Sequence, residues 1–310
     1  MLTGECFMSY TKGFKDYPEL ILLLKDRGLV VNDEKLAINF LKSVHYYRLS
    51  AYFIPFYTYS NLPCFTPHTS FEDVVLLYSF DQELRDLVFK HIEQVEILLR
   101  AQITHIHARK YGAFGYAKQE NALRRHIDRG KLFNEFMAQL QQEQKRSGEE
   151  FVAHIQDKYG TDVLPIWAAV EILSFGSLVK FFKLLLQNEQ LDVMSYFGVD
   201  SLRLNVFINW LETLVYVRNL CAHHSRLWNK QFVRKFKHDT RQNFATNGIK
   251  TDKVFFVLSV IAKLTRKHNI VDEIQVLLAR YPNVAIEKMG FPVDWKSILS
   301  RNSLGLNNSH

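Results

Sequence analysis

The stretch "LYSFDQELRDLVFKHIEQVEILLRAQI", Leu77 to Ile103, decides the fold class. With its flanks it carries Val74, Leu77, Leu84, Leu87, Val88, Val95, Leu98, Leu99 and Ile106 at spacings built from three- and four-residue steps. That recurrence gathers the apolar side chains on one face of an α-helix, and it does not fit the period of two that a strand requires. Ahead of it, Ser70 is followed three residues later by Asp73, close to a capping box with Asp in place of the usual Glu. The spacing predicts one long helix from Ser70 to the glycines of "YGAFGY" at Tyr111–Tyr116.

Outward from this helix the same period persists. On the N-terminal side, Leu20, Leu23 and Leu24 set the apolar face of a short helix that Gly28 ends, and Leu36, Ile38, Phe40 and Leu41 belong to a second. The aromatic run "VHYYRLSAYFIPFYTY" follows, closed by the Pro-containing stretch 61–70, which is either the boundary between an N-terminal helical region, 1–68, and the remainder, 69–310, or a loop within one compact unit. On the C-terminal side, 121–145 reads as a polar helix and Phe151–Tyr159 as a short amphipathic one. "LPIWAAVEILSFGSLVKFFKLLLQ" opens on Pro165, suited to a first turn, and is interrupted near Ser174–Ser177. Leu202–Ala222, Lys253–Lys267 and Asp272–Tyr281 complete the set. No repeat and no alternating strand run is found. The expectation is an all-α protein.

Composition narrows the function classes. The chain has 310 residues, 47% of them hydrophobic, with 24 Phe and 14 Tyr, enough to bury a large core and too apolar for disorder. Only 13 Gly and seven Pro punctuate it, as long helices require. A net charge of +7 and a pI near 9.1 point towards a polyanionic partner. Cys6, Cys64 and Cys221 are few, odd in number and widely spaced, so neither a zinc cluster nor a disulfide framework is expected, and a reducing compartment fits. The N-terminus lacks the pattern of a signal peptide, and no apolar run has the length of a membrane span, so we expect a cytoplasmic protein without membrane contact.

The chemistry-bearing stretch is "LVYVRNLCAHHSRLWN", Leu214–Asn229. It sets Arg218, Asn219, His223 and His224 at the polar end of an apolar run. On a regular helix Asn219 and His223 share a face, whereas Arg218 and His223 stand roughly 140° apart around the axis. For arginine and histidine to converge, the helix must end or distort, or a second copy of the surface must complete the site in a symmetric dimer. A histidine exchanges protons near neutral pH, an arginine stabilises negative charge on phosphate, and an asparagine orients either. These groups suit RNA cleavage through its own 2′-hydroxyl, with no metal and no cofactor. The plain alternative is that basic residues favour a helix C-terminus through the macrodipole.

"RNLCAHHSRLWN" closely resembles the R-N-x-x-x-H signature of HEPN ribonucleases. With its paired histidines and R-L-W-N tail it is similar to the abortive-infection (AbiD/AbiF-like) family of bacterial antiphage proteins. Further blocks carry the resemblance: "YYRLSAYFIPF" at Tyr46–Phe56, Leu77–Ile103, "LPIWAAVEILSFGSL" at Leu164–Leu178 and "MGFPVDW" at Met289–Trp295. The resemblance implies a HEPN-like helical bundle, paired as a homodimer, with endoribonuclease activity in antiphage defence. Arg218 and His223 match the signature's arginine and histidine, and Asn219 its polar second position. His224 is a substitute, because the wider pattern allows a longer interval. Many HEPN proteins bind RNA or pair with antitoxins without obvious cleavage, so a non-catalytic module holding a small RNA or an antitoxin is the alternative. A regulator that prefers duplex DNA is the third class.

Other polar residues frame the motif. Glu96 and Arg100, four apart and acid first, read as an intrahelical pair or as supports that face the motif helix. Glu171, isolated in "WAAVEILSFG", would be costly if buried alone, and Arg218 or Arg48 would relieve it. Beyond the motif, Arg226, Lys230, Arg234, Lys237 and Arg241 recur at steps of three and four. If helical, they make one basic stripe, with Lys235 nearby and Phe232 and Phe236 on another side. Such a stripe is either a solvated face or a track for RNA phosphates. "LRRHIDRGK", Leu123–Lys131, is a second basic patch.

Overall fold

The structure, a computed structural model, describes residues 13–58, 63–118, 120, 129–199, 203–238, 248–265 and 269–303. Among the described residues it has thirteen α-helices and no strand beyond two isolated bridges, so the protein is all-α. It divides into two compact units, Met1–Asp81 and Gln82–His310. The boundary lies inside the long helix, while the division expected from sequence lies ahead of it, at 68/69.

The first unit holds α1 (Tyr17–Asp26), α2 (Glu34–Ser43) and α3 (Tyr46–Phe53). Asp16 and Glu19 close a reciprocal capping box on α1, and Asp33 Oδ1 accepts from Leu36 N at 3.0 Å to start α2. Gly28, at φ +87°, turns the chain after α1. Val30 then pairs with Ser70, its N–H donating to Thr69 O at 2.9 Å. Ile21, Leu24, Leu41, Leu49, Phe53 and Phe71 form the core. Phe40 meets the edges of Phe71 and Tyr78, and the buried Tyr52 hydroxyl donates to Asp81 at 2.6 Å.

The long helix is α4 (Phe71–Tyr111), 41 residues and so about 60 Å. The expected cap is present: Ser70 N donates to Asp73 Oδ2 at 2.9 Å, and Asp73 N to Ser70 Oγ at 3.1 Å. In the second unit its stripe of Leu84, Val88, Ile92, Val95, Leu99 and Ile103 is buried, with Leu87, Leu98 and Ile106 at the margins.

The rest of that unit comprises α5 (Arg129–Arg146), α6 (Glu150–Tyr159), α7 (Ile166–Ile172), α8 (Phe175–Leu184), α9 (Gln187–Tyr196), α10 (Leu204–Ala222), α11 (Val254–Thr265), α12 (Asn269–Arg280) and α13 (Trp295–Ser303). The anticipated interruption falls between α7 and α8, where Ser174 caps the new helix by accepting from Ser177 N at 3.2 Å. Phe181 of α8 stacks on Phe136 of α5 with centroids 5.0 Å apart, and Phe182 meets Phe207 of α10 edge-on at 5.6 Å. Helix α11 is buried on every side from Val254 to Ala262, as a helix without a polar face must be. Two buried histidines tie α4 to other helices: His107 sits 3.1 Å from Glu189 of α9, and His91 3.1 Å from Glu273 of α12.

Candidate functional site

Helix α10 buries Val206, Phe207, Trp210, Leu211, Leu214, Val217 and Cys221. The next position on that face would be His224 or Ser225, neither apolar, so burial gives the helix no reason to continue. It stops at Ala222 with His223 as its C-cap. His224 takes the left-handed conformation at φ +54°, its N–H donating to Cys221 O at 2.9 Å, while Ser225 N donates to Leu220 O at 2.8 Å. These two bonds make a Schellman turn, with a histidine where glycine is the usual occupant. A side chain with a Cβ is strained there.

The helix holds through Ala222, and His223 N still donates to Asn219 O at 3.0 Å, so Arg218 and His223 keep their separation around the axis and the end of α10 does not by itself bring them together. Both imidazoles are exposed. Arg218 is half-buried and lies over Phe89 of α4, its guanidinium carbon 5.5 Å from the ring centroid. Its Nη1 donates to Asn219 Oδ1 at 3.4 Å, and its Nε is buried without a hydrogen-bond partner among the described residues. An aromatic face and a neighbouring amide thus orient the fork and leave its positive charge uncompensated. Sequence reasoning missed Phe89, because only the packing of α4 against α10 reveals it.

The segment after the motif corrects an expectation. Residues 226–238 are not helical but form a strap that runs back along α10. Trp210 Nε1 donates to Lys237 O at 2.8 Å, and Asn209 Nδ2 to Lys235 O at 3.2 Å. Phe232 and Phe236 are buried, Phe232 edge-on to Tyr216 at 6.2 Å. A helix face therefore does not unite Arg226, Lys230, Arg234 and Lys237. Arg234 is ion-paired to Glu212, which also takes Lys183 at 2.7 Å, and Lys235 pairs with Asp252 at 3.2 Å. Burial raises the affinity of Asp252 for a proton, but hydrogen bonds from Gln231 and Lys235 outweigh it and hold its carboxyl below the ordinary range. Arg241, and residues 123–128 of the second basic patch, lie outside the described residues.

The supporting residues divide between one reading that is met and others that are not. Glu96 and Arg100 do form the intrahelical pair, at 2.8 Å. Arg100 then reaches α7 rather than α10, donating to Val170 O at 3.0 Å and Leu173 O at 2.6 Å. It adds a donor at the end of α7, where Val170 O already accepts from Leu173 N at 3.3 Å. Glu171 is exposed on the outer face of α7, four residues from the equally exposed Trp167, so no burial cost calls for a partner. Among the described residues no group of His, Cys, Asp or Glu is placed to hold a metal ion. None of their helices is long and apolar enough to cross a membrane.

The family model of Abi-like proteins matches residues 39–229. The chain belongs to the Abi-like family. Membership points to abortive-infection defence as the setting in which it acts. The Abi-like match closes on Asn229, the last residue of the R-L-W-N tail, and so contains the whole turn at the end of α10. The "MGFPVDW" block lies beyond it. No curated protein and no solved structure matches the chain.

Proposed function

We propose that this Abi-like protein is an endoribonuclease of the HEPN type, acting in abortive infection without a metal ion. Two copies of the chain place their α10 ends in one cleft. His223 takes the proton from a ribose 2′-hydroxyl, whose oxygen attacks the adjacent phosphorus. The bond from phosphorus to the 5′-oxygen breaks, and that oxygen takes up a proton, leaving a 2′,3′-cyclic phosphate and a 5′-hydroxyl. Arg218 stabilises the charge that grows on the phosphate oxygens, and Asn219 holds the guanidinium in place.

The observation that supports this reading best is the setting of Arg218. Its guanidinium lies on Phe89 with no carboxylate partner among the described residues, one turn from two exposed histidines. Purified protein with end-labelled RNA in EDTA should give cyclic-phosphate ends, and Arg218→Ala should not. Intact RNA under all conditions would refute the reading.

A second reading draws on the Schellman turn. A histidine pair that only closes a helix end needs no chemistry, and the protein would then hold a small RNA or an antitoxin without cutting. Tight RNA binding with no cleavage, unchanged in His223→Ala, is its expected result.

A further inference from the structure

The R-L-W-N tail and the "MGFP" block, some sixty residues apart in sequence, meet at a pocket of about 500 Å³ that the candidate ribonuclease site does not use. Asn229, Lys250, Lys253, Lys288, Gly290 and Phe291 are among its lining residues. Its volume is within the range of small-ligand sites. Two backbone positions in its wall are unusual. Asn229 is left-handed at φ +51°, and its Oδ1 accepts from Lys253 Nζ at 3.3 Å. Gly290 has φ +85°, and a Cβ there would stand 2.8 Å from Lys253 Cβ. Only glycine lets the backbone at 290 close against Lys253. A left-handed asparagine is the kind of backbone position that clusters at ligand sites.

Two of the three lysines are held by neutral groups. Lys253 is given to an amide oxygen, and Lys288 Nζ lies 5.8 Å from the centroid of the Trp228 ring. On the strap, by contrast, Arg234 and Lys235 each have a carboxylate. Glu287 is the one acid among the lining residues, and it is exposed, so the lining keeps an excess of positive charge. Burial pushes the Lys253 ammonium below its ordinary value and Lys250 adds to the effect, with Asp252 opposing. Lysines that line one pocket repel one another unless an anion sits among them. A lysine ammonium is a compact charge with three donors, which suits phosphate oxygens.

We propose that this pocket is a phosphate-binding site, taking the phosphate of a free nucleotide or of an RNA strand. It stands independently of the ribonuclease reading.

The test is equilibrium binding to the full chain carrying His223→Ala, so that RNA is not consumed. The probes are adenosine triphosphate and a short single-stranded oligoribonucleotide. The parent is compared with Lys250→Gln/Lys288→Gln and with the charge-matched control Lys145→Gln/Lys158→Gln, all checked for folding by circular dichroism. At least one probe should bind about tenfold more weakly to the pocket variant and normally to the control. Loss for the triphosphate alone identifies a free nucleotide. Loss for RNA, with the salt slope reduced by roughly 1.4 for two contacts, identifies a strand phosphate. Equal affinity in parent and pocket variant, equal weakening in the control, or no binding of either probe to the parent overturns the proposal. Cleavage by the wild-type chain is followed in parallel. If it cuts RNA while the pocket variant binds like the parent, the pocket falls and the ribonuclease stands. If triphosphate binding is lost in the variant while the wild type does not cut, the reverse holds.

Discussion

Arg218 and Arg234 face opposite fates along one helix. Arg234, on the returning strap, is given to Glu212 of α10, and its neighbour Lys235 to Asp252. Arg218, at the end of α10, has an aromatic ring and an amide instead of a carboxylate. A cation matched by an acid is already neutralised and contributes to the fold. One oriented by neutral groups keeps its charge for a ligand. On that physical difference, rather than on position in a sequence pattern, we separate the candidate site from its surroundings.

The most severe test of the contrast is kinetic. Arg218→Ala should lower cleavage by ~10²–10³-fold, the scale for removing a preorganised donor to a developing charge. Arg218→Lys should also impair it, since an ammonium lacks the planar fork that Arg218 holds over Phe89. His223→Ala should cost ~10²–10⁴-fold. Arg234→Ala should leave the rate within a few-fold. Rates read from labelled RNA with folding checked by circular dichroism decide the matter. Equal loss at Arg218 and Arg234 would erase the distinction.

Stability should divide the other way. Phe232 is 1% exposed and anchors the strap, so Phe232→Ala should destabilise by about 3–5 kcal/mol in denaturant melts. Arg218→Ala, at a half-buried helix end, should cost far less. A Phe232→Ala variant as stable as wild type would show that the strap is not fastened as described.

The strap also marks where the sequence stops being legible. The long helix could be read because burial alone dictates its period, from Leu84 to Ile103, and because Ser70 and Asp73 are local to each other. The strap misleads since Phe232 and Phe236 are four apart, as are Arg226, Lys230 and Arg234, so a non-helical segment imitates a helix. What holds it comes from afar: Asn209 and Trp210 bond to the strap's backbone groups. The same limit applies to Glu171. Its apolar neighbours suggested burial, but Trp167 and Glu171 share the outer face of α7, and a seven-residue helix is too short for that face to stand out. At the candidate site Arg218, Asn219 and the histidines were visible, and Phe89 was not.

His224 offers a smaller effect. Its left-handed backbone is a strain that glycine would not feel, so His224→Gly should stabilise the protein by about 1 kcal/mol. For a unit of this size the melting temperature should rise by roughly 2–4 °C. Cleavage should persist if His223 carries the proton. Loss of cleavage in a stabilised variant would move that role to His224.

The smallest effect is expected on the strap. Arg234 and Glu212 form a surface pair, 46% and 24% exposed at their side chains, so Arg234→Gln should change stability by no more than about 1 kcal/mol. Its charge is already matched, so the salt dependence of RNA binding should not move either. Lys230 and Lys237 have no side-chain partner among the described residues, and their charges remain available to phosphates. Lys230→Gln/Lys237→Gln should therefore flatten the slope by roughly 1.4, about 0.7 for each contact on a single strand. Measuring affinity across a salt series in the His223→Ala background isolates binding from turnover. If Arg234→Gln flattens the slope as much as the lysine pair, its bond to Glu212 yields to RNA, and pairing in the free protein does not mark which cations serve the ligand. If none of these variants moves the slope, the strap is a solvated edge and RNA is held elsewhere.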